Sequence, residues 1–495
     1  MTPGPGGAAA LDRKACYAAF KNHDASFDGR IFICVASTGI YCRPVCRTRP
    51  PKEDNCTFQA SAAAAEAAGY RPCLKCRPEL APGFAPIDSV ARLARRAAEL
   101  IEDGGLDGGG MAALAGSLGV TDRHLRRAFA AAYGVPPARY LQTRRLLLSK
   151  SLLTDTELPI TEIAFAAGFG SVRRFNSLFK SRYRLSPAAL RKTGAAFSRR
   201  GGEGATLFLG YRPPFGWNKL LSFLADRAIP GVESARDGAY RRTVVMRSGG
   251  ERLRGWIAVE NMEGKNALAA TLAPSLFPVL PKILARIRNL FDLDNEPGGV
   301  FAALAAMNRL KPGICVPGTR LPGCFDPFEM AVRAVLGQQI TVKAACTLAG
   351  RIARAFGEPM ETPFAELTHG FPDPETLGGL PEAAGNRLGP LGIIGSRARA
   401  ISALAQSLSA GTITLSPLAD PEEEVGKLLS LPGVGHWTAQ YLAMRALRWP
   451  DAFPHTDYGL RKALAGPTSA QLLEMSGQWR PWRAYAAMNL WNSLA

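Results

Sequence analysis

The chain has 495 residues, 60 Lys and Arg against 41 Asp and Glu, a formal net charge of +19 and 47% apolar residues. At roughly 100–200 residues per domain this length calls for three or four domains, and the apolar fraction excludes a disordered polycation, which buries too little nonpolar surface to offset the entropy of ordering. Half of the basic residues but only 16 of the acidic ones fall in residues 1–200, so the N-terminal part is expected to meet a polyanion, nucleic acid before membrane. No run approaches the ~18 apolar residues of a membrane span, and the start MTPGPGGAAALDRK lacks a secretory core, so a cytoplasmic protein with no membrane partner is expected.

Four regions separate by pattern along the chain. Residues 10–82 mix short apolar runs with Cys, Pro and Arg, and APGFAP (81–86) reads as a linker. Residues 87–192 read as amphipathic helices punctuated by Gly, followed by a polar linker FSRRGGEGA (197–205). Residues 206–292 carry β-type segments such as YRRTVVMRS and RLRGWIAVE, and 293–495 is helical, broken by Pro and Gly. The predicted class is a multidomain α+β protein: a small four-cysteine zinc domain, an all-α tandem helix-turn-helix domain, and a β-containing subdomain joined to a helical domain.

Seven of the ten cysteines lie in the first 76 residues, which in a reducing compartment points to metal or reactive thiols over disulfides. Cys42-x3-Cys46-x26-Cys73-x2-Cys76 is two close pairs separated by a loop, which lets four thiolates converge tetrahedrally on one Zn²⁺. A purely structural zinc knuckle has the same spacing. The interleaved Arg43, Arg47, Arg49, Arg71 and Arg77 suggest instead a rim that holds a phosphate backbone against the metal. Cys16, Cys34 and Cys56 fall outside the ligand spacing and are expected as small buried hydrophobes.

The strings TGIYCRPVC and RPCLKC, within FKNHDASFDGRIFICVASTGIYCRPVCRTRPPKEDN and AAGYRPCLKCRPE, resemble the N-terminal domain of the Ada family of alkylation-response proteins. The resemblance implies that Cys42 takes a methyl group irreversibly from a DNA methylphosphotriester, with Cys46, Cys73 and Cys76 completing the metal site. It places Thr38, Arg47, Arg49 and Arg71 at positions that contact DNA. A zinc centre with four thiolates loses one negative charge on methylation, so DNA binding should tighten and repair can act as a switch.

Two helix-turn-helix patterns follow. In MAALAGSLGVTDRHLRRAFAAAYG the turn is at Gly119; in ITEIAFAAGFGSVRRFNSLFKSRYRLSP it is at Gly168, with Arg173, Arg174, Asn176 and Lys180 on the second helix. A small helical bundle gives a similar pattern for either motif alone. The tandem resembles the AraC/XylS-type DNA-binding domain, which implies promoter binding and RNA polymerase as a partner.

Residues 431–439, LPGVGHWTA, form a Gly-x-Gly hairpin leading into a helix, where Gly433 and Gly435 let backbone N–H groups approach a DNA phosphate. Asp457 follows in FPHTDYGLRK, where an N-cap role is the structural alternative. With LGYRPPFGWNKLLSFLADRAIPGVE, RLPGCFDPFEMAVRAVLGQQIT and WRPWRAYAAMNLWNS, this half resembles the AlkA-type helix-hairpin-helix glycosylases, DNA-3-methyladenine glycosylase II, over 206–495. The resemblance assigns Asp457 as the essential carboxylate, Trp437, Tyr441, Trp491 and Phe223 as the aromatic base pocket, and Gln339 as the residue entering the gap left by the flipped nucleotide.

Gln339 departs from the apolar wedge of well-known members. Trp437 stands where lyase-competent relatives carry a Schiff-base Lys, so an N-glycosylase without lyase activity is expected. No P-C-H-R string of the second Ada methyltransferase domain occurs. The expected protein is therefore an Ada–AlkA fusion acting on alkylated and promoter double-stranded DNA. Two other readings stay open: a regulator with a silent glycosylase half, and a repair enzyme whose zinc is only structural.

Overall fold

The computed structural model describes residues 12–83, 92–102, 110–194, 204–248, 250–379, 387–393, 395–417 and 419–494. Residues 84–86 of the first predicted linker and 197–203 of the second lie outside these residues. The chain forms two compact units, one of residues 1–213, 262–285 and 293–295, the other of 214–261, 286–292 and 296–495.

The first unit opens with helix α1 (Arg13–Lys21), capped by Asp12, whose side chain accepts from Lys14 N. A four-stranded sheet follows in the order β3 (Cys56–Gln59), β1 (Phe32–Val35), β2 (Ile40–Cys42), β4 (Arg71–Pro72). β1 pairs antiparallel with β2 and β3, whereas β2 and β4 run parallel with Tyr41 opposite Pro72. The parallel pair covers two residue pairs, and α2 (Ala62–Ala67) connects β3 to β4.

Helices α3 (Arg92–Glu102), α4 (Gly110–Ser117), α5 (Asp122–Tyr133), α6 (Pro137–Asp155), α7 (Ile160–Ala166), α8 (Val172–Tyr183) and α9 (Pro187–Gly194) complete the helical part. Thr121 caps α5 and Ser171 caps α8, each accepting from the backbone N–H three residues on, and each follows a left-handed glycine, Gly119 or Gly168. Leu125, Phe129 and Tyr133 of α5 are buried at helical spacing, and Phe175, Phe179 and Tyr183 repeat that pattern on α8. The two motifs are therefore real helix-turn-helix units with equivalent inward faces.

The metal-binding and helical parts share one core. Ala63 and Ala64 of α2 pack with Leu125, Phe129 and Tyr133, and Ser61 Oγ donates to Tyr133 O at 2.6 Å. Two buried carboxylates tie them further. Glu66 accepts from Tyr41, Thr143 and Tyr183. Glu79 accepts from Lys150 at 2.5 Å and Arg77 at 2.9 Å, while Arg77 also reaches Asp155 at 2.6 Å. Burial alone would raise Glu79, but the two cations hold it below the ordinary carboxylate range. An antiparallel pair, β5 (Ala205–Gly210) with the strand Ala267–Leu272, belongs to the same unit.

In the second unit the strands Glu233–Arg236, Ala239–Ser248 and Glu251–Met262 form a meander, with Tyr240 opposite Val259. Its helices surround a buried ion network: Arg242 reaches Glu329 at 2.6 Å and Arg333 bridges Glu233 at 2.6 Å and Glu329 at 2.9 Å. Although burial raises it, Arg333 and Arg242 bring Glu233 down to about 2. Two cations against two carboxylates satisfy one another, which lets four charged groups sit in a low-dielectric interior. No helix among the described residues is long and apolar enough to cross a membrane.

Candidate metal centre and active site

The sulfurs of Cys42, Cys46, Cys73 and Cys76 lie within 4.8 Å of one another. The β2–β4 pairing makes this possible, since Cys73 N donates to Tyr41 O at 3.0 Å and so sets the second pair beside the end of β2. A turn closes the first pair, Cys46 N donating to Arg43 O at 3.1 Å. Arg43 N then donates to Cys76 Sγ at 3.3 Å, and Thr48 Oγ1 lies 3.2 Å from Cys46 Sγ. Crowded together, the sulfurs perturb one another: hydrogen bonding with Cys42 pulls the Cys46 thiol down to about 6. Four convergent thiol sulfurs, with no carboxylate among the described residues of the cluster, are the donor set of tetrahedral Zn²⁺.

The arginine rim is smaller than the sequence suggests. Arg43 is buried, its guanidinium paired with both oxygens of Asp28 and donating to Cys76 O at 3.1 Å. Arg77 is spent on Glu79 and Asp155. Both brace the fold, because each sits beside a buried carboxylate that requires a partner. Arg47, Arg49 and Thr38 are exposed, and Arg71 in β4 is half-buried. Arg173 and Arg174 are exposed on α8, as are Asn176 and Lys180. Cys16, Cys34 and Cys56 are buried as expected, and burial pushes Cys34 up to about 12.

The second constellation centres on Asp457, N-cap of the helix Tyr458–Ala463, whose Oδ1 accepts from Leu460 N at 2.9 Å. Two indoles also hold it: Trp437 Nε1 donates to Oδ2 at 2.8 Å and Trp491 Nε1 to Oδ1 at 3.0 Å. Trp437, on the helix His436–Arg445, stacks on Tyr441 with ring centroids 5.1 Å apart and planes 8° from parallel. These groups line a cavity of about 370 Å³ that also takes in Arg227, Arg333 and Arg445.

Phe223 is not among the residues lining that cavity; the Arg227 guanidinium lies 3.7 Å from its ring centroid and lines the cavity in its place. Gln339 is also outside the lining, exposed at a left-handed turn with φ +55° between the cavity residues Gly337 and Ile340. Its neighbour Gln338 does the structural work of that loop, donating to Gly433 O at 2.8 Å and Thr438 Oγ1 at 2.9 Å. Gly433 has φ +75° and, with Gly435 at the cap of His436–Arg445, leaves the hairpin backbone exposed.

Sequence reading missed the cations. Arg445 NH1 donates to Tyr441 OH at 2.6 Å, and its remaining nitrogens cap Pro322 O at 2.6 Å and Gly323 O at 3.1 Å. Although burial raises the Tyr441 phenol, Arg445, Arg227 and Arg333 bring it below its ordinary value. The i to i+4 spacing of Tyr441 and Arg445 on one helix was the available signal. Tyr458, 75% exposed at the cavity mouth, was also passed over.

A zinc-thiolate module, tandem helix-turn-helix motifs and a helix-hairpin-helix pocket with a clamped carboxylate together define a regulator joined to a base-excision enzyme. Family models match in that order: the metal binding domain of Ada over 15–79, a helix-turn-helix domain over 114–193, the AlkA N-terminal domain over 206–326, and the HhH-GPD superfamily of base excision DNA repair proteins over 332–466. The chain is 39% identical to the probable bifunctional transcriptional activator/DNA repair enzyme AlkA of Mycobacterium tuberculosis, covering 98% of this chain and 97% of that one. It is 36% identical to DNA-3-methyladenine glycosylase 2 of Escherichia coli, over 57% of this chain and 95% of that one. Identity to the Ada protein of E. coli is 33%, over 36% of this chain and 47% of that one. The chain belongs to the family of bifunctional transcriptional activator/DNA repair enzymes AlkA, with an Ada-type four-cysteine zinc site and a DNA-3-methyladenine glycosylase half.

Proposed function

We propose that the chain hydrolyses the N-glycosidic bond of alkylated purines at Asp457, without lyase activity, and takes one methyl group from a DNA methylphosphotriester at Cys42. The observation that carries the glycosylase reading is the Asp457 carboxylate, fixed by two indole N–H donors and one backbone N–H at the edge of an aromatic cavity. Alkylation at a ring nitrogen makes the purine cationic, so the C1′–N bond breaks with its electron pair going to the base. Asp457 stabilises the positive charge left on the sugar and orients the water whose oxygen bonds to C1′, that water's proton passing to the carboxylate and on to solvent. Trp437, Tyr441 and Trp491 receive the flipped base, Phe223 backs Arg227 behind it, and Gln339 enters the vacated stack. Trp437 offers no amine for a Schiff base.

At the metal centre Zn²⁺ keeps thiolates charged at neutral pH. Cys42 sulfur attacks the methyl carbon, and the C–O bond breaks with its pair left on the phosphate oxygen. Thr38, Arg47, Arg49 and Arg71 hold the DNA there, Arg173 and Arg174 read promoter DNA, and Gly433 and Gly435 seat a phosphate at the glycosylase hairpin. RNA polymerase is the partner a promoter-bound activator engages, and the nucleoid is where such a protein works. We divide the chain at 10–82, 87–192, 206–292 and 293–495.

Single-turnover release of 3-methyladenine from methylated duplex tests the first reading: release by wild type that falls at least ~100-fold in Asp457→Asn supports it, and equal rates refute it. Intact mass after exposure to methylphosphotriester DNA tests the second, with one methyl gained by wild type and none by Cys42→Ala.

A further inference from the structure

Beside the metal centre, within the first unit, lies a groove of about 330 Å³ with two walls of different origin. Arg47, Thr48, Lys75 and Cys76 come from the metal-binding segment. Phe208 and Lys265 come from β5 and the turn before its partner strand Ala267–Leu272, inside the stretch that matches the AlkA N-terminal domain. A segment belonging by sequence to the glycosylase half thus stands against a thiolate ligand.

The groove is built for an anion. No acidic side chain is among the described residues lining it. The deeper cations Arg43 and Arg77 pair with Asp28, Glu79 and Asp155 and brace the walls; Arg47, Lys75 and Lys265 add positive charge at the exposed rim. The Phe208 ring lies 5.5 Å from Lys265 Nζ and 5.9 Å from the Arg77 guanidinium, a contact that orients the lysine over the groove. Exposed lysine and arginine around a concave floor, with a hydroxyl from Thr48, is the chemistry of a phosphodiester contact.

We propose that this groove holds a backbone phosphate of the duplex engaged by the metal centre, so that Lys265 and Phe208 complete the DNA surface of the methyl-acceptor module. The inference rests on the reading that this centre acts on DNA. It gives the fusion a physical rationale, because the acceptor's binding track then includes residues that an isolated zinc and helix-turn-helix protein lacks. A duplex is favoured over a free phosphate because the three exposed cations of the groove, Arg47, Lys75 and Lys265, come from separate stretches of the chain and carry more positive charge than one small anion neutralises.

The test measures the second-order rate of methyl transfer to Cys42 in the full chain at subsaturating methylphosphotriester duplex, across a salt series. Lys265→Gln should slow transfer about 3- to 10-fold near physiological salt and reduce the salt slope by about one, Lys265→Glu should slow it further, and zinc content should match wild type. Rates and slopes equal to wild type in both variants, with Arg47→Gln impaired, would overturn the groove while keeping the acceptor reading. Inhibition by inorganic phosphate at the concentration of duplex phosphates would also overturn it, marking a small-anion site. If wild-type Cys42 gains no methyl, the acceptor reading itself fails. Duplex affinity then decides the groove, which stands if Lys265→Glu lowers the salt slope and falls if it does not.

Discussion

Tyr183, at the end of α8, donates its hydroxyl at 3.3 Å to the Glu66 oxygen that also accepts from Tyr41, the residue beside Cys42 of the metal site. One buried carboxylate thus joins the metal-binding sheet to the second helix-turn-helix, with Thr143 of α6 on its other oxygen at 3.0 Å. Burial pushes Glu66 up to about 7, against the opposing pull of these hydroxyls. Its folded pKa is raised, so its stabilising effect is full below the unfolded carboxylate range and is lost as pH rises through about 7. The first unit should lose roughly 3 kcal/mol between pH 4.5 and 7 from this group, a difference of ~1.4 kcal/mol per pKa unit. Urea unfolding of wild type and Glu66→Gln over that window checks it. A pH dependence that survives in the glutamine variant would rule Glu66 out as its source.

The two indole donors of Asp457 do separate work. Trp437 alone reaches Oδ2, so its loss leaves a carboxylate that can rotate, whereas Trp491 shares Oδ1 with Leu460 N and its loss removes one of two donors there. A hydrogen bond to a charged group contributes about 1.5–3 kcal/mol, and Trp437→Phe or Trp491→Phe should therefore slow single-turnover base release by ~10- to 100-fold while keeping an aromatic face for the base. If a phenylalanine variant releases base at the wild-type rate, the indole N–H does not position Asp457.

Arg445 is a buried guanidinium serving three acceptors: Tyr441 OH, Pro322 O and Gly323 O. Arg445→Met keeps the length of the side chain but leaves both carbonyls without this donor, at about 1–3 kcal/mol each. The second unit should lose about 2–4 kcal/mol, read from the urea midpoint at unchanged slope. Tyr441 should also titrate at higher pH once the nearest cation is gone, which its ultraviolet absorbance reports.

The sequence made the architecture, the four-cysteine cluster and the hairpin before the Asp457 cavity legible because their signals are local. Two cysteine pairs, two glycine turns with caps, and the Gly-x-Gly hairpin each occupy a short window whose geometry is fixed by backbone needs. What stayed hidden was long-range pairing of charge. Arg43 and Arg77 sit in the same cysteine-rich string as Arg47, and only their tertiary neighbours Asp28, Glu79 and Asp155 mark them as braces of the fold. Likewise nothing local to Phe223 shows that Arg227 lies over its ring and lines the cavity beside it. Lys265, far from Cys76 in sequence, offers no local sign that it shares a groove with it.

Metal removal should act on fold as well as chemistry. Cys42, Cys46 and Cys73 belong to a small core with Phe20, Ile33, Val35 and Cys56, and β2 and β4 meet over only two residue pairs. So small an apolar cluster leaves the sheet dependent on the ion, whose binding free energy becomes folding free energy. Chelation should collapse amide protection in β2 and β4 and, through Tyr41 and Glu66, weaken it in α2, while helices of the second unit keep theirs. Cys42→Ala retains three sulfurs, enough to hold zinc less tightly with water in the fourth position, so it should keep that protection in excess zinc, whereas Cys46→Ala with Cys73→Ala should not. Hydrogen exchange by mass spectrometry reads all three states. Protection of β2 and β4 that persists in the chelated protein would mean that the apolar cluster alone holds the sheet, and that the four cysteines serve reactivity without serving the fold.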